Sequence, residues 1–309
     1  MVPSLSLCLV LVLALPFVSA SLLEESVLHR RQSITVLAPE QVAAYRPYTY
    51  FANAAGCKPS TTGNWTCGPP CEGNPDFKPI ASGGNGDSVQ FWYVGYAPDL
   101  NTVIVGHQGT DVTKLLPICT DLNITLSKLD SNLFPGISSD IEVHSGFKES
   151  QARAAADVLS NVTIAMSTYA TNSVAVVGHS LGGALALLDG VYLDLQLPSA
   201  TVSVFSYGMP RVGNQAFADY VDANVNVTHV NNKKDPVPIV PGKKLGYHHC
   251  SGEKHITDSD DEWVNCPGQD NPDKQCIVGE VSNIFEIDLK DLIDHFGPYD
   301  GIWMWGCVE

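Results

Sequence analysis

The residues best suited to chemistry stand in Gly178-His179-Ser180-Leu181-Gly182. A serine hydroxyl becomes a nucleophile when a neighbouring base takes its proton and a third group orients that base. The apolar run Val174-Ala175-Val176-Val177 reads as a buried strand, and the Ala- and Leu-rich run after Gly183 reads as a helix. A Gly-x-Ser-x-Gly turn between such elements lifts its serine onto a sharp bend at the end of a sheet. Glycine is required on both sides, because a Cβ at 178 or 182 would strike the strand or the helix as they pass. The helix N-terminus then directs free N–H groups and its positive dipole end toward the seryl oxygen. The five-residue match alone would suit any Gly-rich link in an α/β protein. The strand before it and the helix after it favour the nucleophile.

A nucleophile of this kind is followed along the chain by its acid and then by its base. Asp235 leaves the apolar stretch Val227 to Val230 and precedes Pro236-Val237-Pro238, which cannot continue a strand. An aspartate before proline is equally a common turn residue. The histidines beyond Ser180 are His229, His248, His249, His255 and His295. His248 and His249 lie in an alternating stretch, Tyr247 to Ile256, and read as strand residues. Position favours His295, which follows the last acidic helical run, although a structural role is open to each of them.

Taken together, these residues resemble the secreted fungal lipases of class 3. The resemblance rests on Gly178-His179-Ser180-Leu181-Gly182-Gly183, on Asn231-Asn232-Lys233-Lys234-Asp235-Pro236-Val237-Pro238, and on His295 before Phe296-Gly297. Gly106-His107-Gln108-Gly109-Thr110 is similar to that family's oxyanion loop, and Val143-His144-Ser145-Gly146-Phe147 to a stretch after its lid. The resemblance implies an α/β-hydrolase fold, in which a mostly parallel or mixed central sheet is flanked by helices and a short lid. It implies Ser180 as nucleophile, His295 as base and Asp235 as acid. Backbone N–H groups of Thr110 and Leu181 would form the oxyanion hole. It places a lid at Lys114-Leu115-Leu116-Pro117-Ile118, whose apolar side chains would touch a lipid surface if they do not pack on the core. It also implies that Cys57 and Cys307 tie the two ends of the domain. Acyl transfer by such a triad calls for neither metal nor cofactor.

The elements that must position these groups are partly legible. Pro39 to Ala55 has helical spacing broken at Arg46-Pro47, which predicts two short helices. Cys57 to Asp87 is rich in Gly, Pro and Asn and reads as a long irregular segment. Val89–Val94 and Thr102–Gly106 read as strands joined at Pro98-Asp99, with further strands expected near Asn123–Leu129 and Ile141–His144. An amphipathic helix is predicted over Glu149–Tyr169. Strands over Thr201–Tyr207 and Asn226–Val230 bracket a helix near Asn214–Asp222, and such alternation means an α/β sheet.

The 309 residues are 44% apolar, enough for one large core, and carry a formal charge of −16. That charge argues against nucleic acid and against electrostatic docking on anionic lipid. Residues 1–20 read as a signal peptide, an apolar run ending Val18-Ser19-Ala20 and too short for a membrane span. Residues 21–31, ending His29-Arg30-Arg31, read as a pro-segment, and 32–309 as a single domain. The expected protein is therefore an exported monomer without a transmembrane span.

Eight cysteines follow the leader, an even number in keeping with disulfides in an oxidising compartment. Cys67–Cys71 and Cys266–Cys276 would each close a short loop. Cys119 and Cys250 are then left, either bridged to each other or buried and unpaired. Sequons stand at Asn64, Asn123, Asn161 and Asn226. Triacylglycerol is the leading substrate. The alternatives are soluble or plant-wall aryl esters, and a binding protein that has lost catalysis.

Overall fold

The computed structural model describes residues 33–109, 124–281, 288–305 and 307. The leader and pro-segment, Thr110, the lid residues 114–118, Cys119 and Asn123 lie outside the described residues. From Ile34 onward the chain forms one unit.

In chain order the sheet-forming segments are β1 (Thr35–Val36), β2 (Lys78–Gly83), β3 (Trp92–Ala97), β4 (Thr102–His107), β5 (Leu126–Lys128), β6 (Glu142–His144), β7 (Ser173–His179), β8 (Thr201–Tyr207), β9 (Gly213–Asn214), β10 (Asn226–Asn232), β11 (Tyr247–His248), β12 (Glu253–Ile256) and β13 (Trp263–Cys266). The principal helices are α1 (Pro39–Ala43), α2 (Arg46–Ala54), α3 (Ser145–Tyr169), α4 (Leu181–Gln196), α5 (Gln215–Asn224) and α6 (Leu289–Asp294). Nine strands form the main sheet in the order β1-β13-β12-β10-β8-β7-β4-β3-β2. Its centre, β12-β10-β8-β7-β4, is parallel, and its flanks are antiparallel. A second sheet runs β11-β9-β6-β5.

The parallel centre follows from composition. Every residue of β4, and every residue of β7 after Ser173, is buried, as expected of strands covered on both faces. Alternation then divides the core in two. Val103, Val105, Val174, Val176 and Val204 point to one face, beneath α3 and α4. Ile104, Ala175, Val177 and Tyr207 point to the other, against an aromatic layer of Phe51, Phe77, Tyr93 and Tyr299. Helix α4 is buried without interruption from Gly182 to Leu193, and apart from Asp189 that run is apolar on every face, the pattern of a core helix. Leu188 and Leu193 are fully buried, and truncating either to Ala would cost about 2–5 kcal/mol.

Two short helices form as expected, but they part at Ala44-Tyr45 rather than at Arg46-Pro47, because Pro47 is accommodated in the first turn of α2, where its missing N–H costs nothing. The long helix begins four residues earlier than expected, at Ser145, because His144 caps it. The His144 Nδ1 accepts the N–H groups of Gly146 at 3.1 Å and Phe147 at 3.4 Å. Two expectations need correction. The segment 57–87 is not irregular throughout, since it contains helical turns at Pro59–Thr62 and Pro69–Glu72 and the edge strand β2. The stretch Tyr247–Ile256 is not one strand but β11 and β12, in different sheets. Gly252 turns between them at φ +108°, where a Cβ would lie 2.1 Å from the Val227 carbonyl oxygen.

Three disulfides join Cys57 to Cys307, Cys67 to Cys71 and Cys266 to Cys276. Of the two remaining cysteines, Cys119 lies outside the described residues. Cys250 carries a free thiol, packed into the core beneath α3 and α4, and burial raises its pKa well above that of an ordinary thiol. Asn64 and Asn226 are exposed, and Asn161 is half-buried on α3. No helix among the described residues is long and apolar enough to cross a membrane.

Candidate active site

Ser180 stands between β7 and α4 at φ +57° and ψ −127°, a backbone region that a non-glycine residue occupies only when its surroundings impose it. The surroundings are visible. The Ser180 N–H donates to the Tyr207 carbonyl at 2.8 Å on the neighbouring strand. A Cβ on Gly178 would lie 2.1 Å from the Gly182 oxygen, and one on Gly182 would lie 2.2 Å from the His107 oxygen. Strand, turn and helix therefore interlock through bare backbone. Leu181 opens α4, so its N–H belongs to the first turn, which has no intrahelical acceptors.

Asp235 and His295 meet across 60 residues of sequence. The Asp235 Oδ2 lies 2.9 Å from the His295 Nδ1, and both side chains are fully buried. The other carboxyl oxygen, Oδ1, accepts the Val237 N–H at 2.9 Å. Strand β10 ends at Asn232, and a short turn held by the Asp235 N–H on the Asn232 carbonyl delivers the carboxyl sideways. His295 follows α6, whose N-terminus is capped by the Asp288 carboxyl, an acceptor for the N–H groups of Lys290 and Asp291. Burial lowers the His295 pKa to about 3 and raises that of Asp235 to about 8. The direction of the first shift keeps the imidazole uncharged at rest, ready to take a proton. Its Nε2 is buried and has no partner among the described residues.

Five residues hold the pair in place; His179, Asn232 and Phe296 stand in motifs quoted above but had no role assigned there, and Gly208 and Tyr299 carried no signal at all. The carbonyl of His295 accepts from the His179 Nε2–H at 2.7 Å and from the Tyr299 hydroxyl at 3.0 Å. Burial, with His295 alongside, lowers the His179 pKa to about 3, which leaves it a neutral donor. Asn232 donates its Nδ2–H to the Asp294 carbonyl at 2.8 Å. Gly208, at φ +55°, lets the pair come together. A Cβ there would lie 2.8 Å from the Asp235 Oδ2 and 2.9 Å from the His295 Nδ1. Phe296 sits edge-on to the imidazole with ring centroids 5.1 Å apart.

The competing histidines are accounted for structurally. The His249 Nε2–H donates to the Pro238 carbonyl, and its ring stacks on His229 at 4.9 Å. The His248 Nδ1 lies 3.5 Å from Asp270. Both ring nitrogens of His255 face backbone carbonyls, acceptors only, Nδ1 that of Gln275 at 2.7 Å and Nε2 that of Lys233 at 2.9 Å. Among the described residues, the group close enough to share a metal ion is Glu253, Cys266 and Cys276. Two of its three ligand atoms are already joined as a disulfide.

Residues 104–245 match the family model for lipase, class 3. A secreted mono- and diacylglycerol lipase of Malassezia restricta is 30% identical over 236 residues, 75% of this chain and 73% of that protein. A protein of the same description from Malassezia globosa is 28% identical over 268 residues, 85% and 80% of the two chains. Among solved structures, the Rhizomucor miehei lipase in complex with its propeptide superimposes with a TM-score of 0.76 at 25% identity. It covers 89% of this chain and 85% of its own. The fold is that of the α/β-hydrolases.

Proposed function

This chain belongs to the class 3 lipase family and is a carboxylic ester hydrolase, and on that premise we propose an exported triacylglycerol lipase that works through Ser180, His295 and Asp235. The observation that carries the reading is the buried Asp235–His295 pair at 2.9 Å with its Nε2 left unpartnered. In the reaction, His295 Nε2 takes the Ser180 hydroxyl proton as Oγ attacks the ester carbonyl. Asp235 holds the imidazole in the required tautomer and stabilises the imidazolium. The tetrahedral oxyanion is received by the N–H groups of Leu181 and Thr110, each worth about 3 kcal/mol in comparable sites. The alcohol leaves with the proton from His295, and water, deprotonated by the same base, releases the acid from Ser180.

Export is supported by three disulfides in the body of the chain and by relatives described as secreted. Cleavage after residues 20 and 31, glycans at the sequons, a monomeric state and lipid contact through residues 114–118 belong to the same proposal. Those relatives, described as acting on mono- and diacylglycerols, favour partial glycerides as a second reading of the substrate.

The test is hydrolysis of emulsified tri-, di- and monoacylglycerol, a dissolved nitrophenyl ester and methyl ferulate, by the wild type and by Ser180→Ala. Triacylglycerol turnover that falls by several orders of magnitude in the variant supports the proposal. Activity confined to partial glycerides selects the second reading, and activity confined to ferulate selects an aryl esterase. Activity within tenfold of the wild type in Ser180→Ala would remove Ser180 as nucleophile.

A further inference from the structure

A buried polar strut joins the loop after β4 to the helix that carries the nucleophile, and the triad makes no use of it. His107 ends β4 at 2% exposure, and its Nε2 lies 2.6 Å from Asp189 Oδ2 on α4. Asp189 is 1% exposed, and its second carboxyl oxygen accepts the Gln151 Nε2–H from α3 at 2.7 Å. The same residue 107 touches α4 a second time through its backbone, because a Cβ on Gly182 would come 2.2 Å from the His107 oxygen. Gly182 and Asp189 are about two helical turns apart and so lie on one face of α4. His107 thus grips the helix at both ends of that face.

The residues that follow are pinned as well. The Gln108 N–H donates to the Phe91 carbonyl at 2.9 Å, and its Oε1 accepts the Phe91 N–H at 2.7 Å. A Cβ on Gly109 would lie 2.7 Å from the His179 oxygen, so this residue rests on the nucleophile turn itself. Apolar side chains of like size would fill the space between β4 and α4 without the desolvation penalty of buried polar groups. What hydrogen bonds supply in their place is a fixed distance and direction.

We propose that the His107–Asp189–Gln151 strut sets the stand-off between the Gln108-Gly109 loop and the first turn of α4, and thereby the aim of the Leu181 N–H at the developing oxyanion. This rests on the proposed role of Leu181 as an oxyanion donor. His107 and Asp189 are positioning residues, which act on the reaction through the backbone they hold.

The experiment compares the wild type, Asp189→Asn, His107→Gln and His107→Ala on a dissolved nitrophenyl ester and on its thionoester, in which sulfur replaces the carbonyl oxygen. Sulfur is a poor hydrogen-bond acceptor and gains little from an oxyanion hole, so the ester-to-thionoester ratio of kcat/KM reports on the donors. Asp189→Asn and His107→Ala are expected to lose about tenfold to a hundredfold in kcat, with KM little changed. The ester-to-thionoester ratio should fall by a similar factor. His107→Gln keeps an N–H donor toward Asp189 and should recover most of the loss. A drop in Tm with kcat within twofold, or equal losses on both substrates, would overturn the strut. If Asp189→Asn fails to fold, Gln151→Leu, which removes only the outer partner, carries the same ratio test. Ser180→Ala assayed alongside separates the two readings: its activity bears on the nucleophile, while the ratio bears on the strut.

Discussion

Gly208→Ala perturbs the triad without removing any of its atoms. The new Cβ would lie 2.8 Å from the Asp235 Oδ2 and 2.9 Å from both His295 Nδ1 and Cε1. Ordinary contact begins near 3.4 Å, so the pair must yield by about half an ångström. The methyl carbon, the carboxyl oxygen and the ring nitrogen form a near-equilateral triangle, so retreat of each group along its own line from the methyl stretches their 2.9 Å hydrogen bond to about 3.4 Å, past the usual range. A base displaced by that much loses about tenfold to a hundredfold in rate. The left-handed backbone at φ +55° adds about 1–2 kcal/mol of destabilisation for any residue with a Cβ. Gly136→Ala separates the two effects, since Gly136 has φ +79° and nothing within 4 Å of the added atom. The assay is kcat and KM on a dissolved nitrophenyl ester, with Tm for each variant. The expected result is a stability loss in both, larger in Gly208→Ala because of the added contact, and a loss of kcat in Gly208→Ala alone. A kcat within twofold of the wild type in Gly208→Ala would refute the reasoning, as would an equal loss in Gly136→Ala.

Three further outcomes are expected. Asp235→Asn should lose about 10⁴ in kcat, while its Tm relative to the wild type rises with pH. The folded Asp235 has its pKa raised to about 8 from 3.8, so the wild type loses stability as pH climbs through that window and asparagine does not. A Tm difference independent of pH between 4 and 8 would contradict it. Opening the Cys57–Cys307 bridge with serines should cost about 5–6 kcal/mol and more than opening Cys67–Cys71, because the sequence separations are 250 and 4; equal losses in denaturant titration would argue otherwise. His248→Ala should leave turnover near the wild type, whereas His249→Ala should lower Tm, since the latter ring is buried against His229 and the Pro238 carbonyl. A large loss of turnover in His248→Ala would move the base.

What was legible in the sequence was local. The elbow around Ser180 could be read because its steric requirement falls within five residues, and the bare-backbone contacts at Gly178 and Gly182 are the ones it demands. Helix α3 could be read from its stripe of Ala154, Ala155, Val158, Val162 and Ala165. Strand β2 could not. Its Lys78-Pro79-Ile80-Ala81-Ser82-Gly83 has loop composition, and it is a strand because β3 offers an edge, with a register shift between Pro79 and Ala81. The division of Tyr247–Ile256 between two sheets was hidden for the same reason, since its partners are Asn214 in one and Asn231 in the other. In the site, chemistry was legible and support was not. A serine, an aspartate and a histidine advertise themselves by type. Gly208, Tyr299 and the strut residues become visible only when strands far apart in sequence are laid side by side.

The Cys57–Cys307 link, with Cα atoms 5.3 Å apart, turns most of this polypeptide into a closed ring. Ser180, Asp235 and His295 all lie on it. A single peptide cut anywhere along that ring would open it without releasing a fragment, and the two new ends would stay tethered by the rest of the circle. A nicked molecule would therefore keep its nucleophile and its base in one covalent body, and it would separate into pieces on a gel only after reduction. The same closeness offers a route to rearranged genes. A reading frame begun at an exposed turn such as Pro198-Ser199 would have to carry β1, α1 and α2, which precede Cys57, between the present C-terminal end and Cys57, with the bridge kept as the clasp.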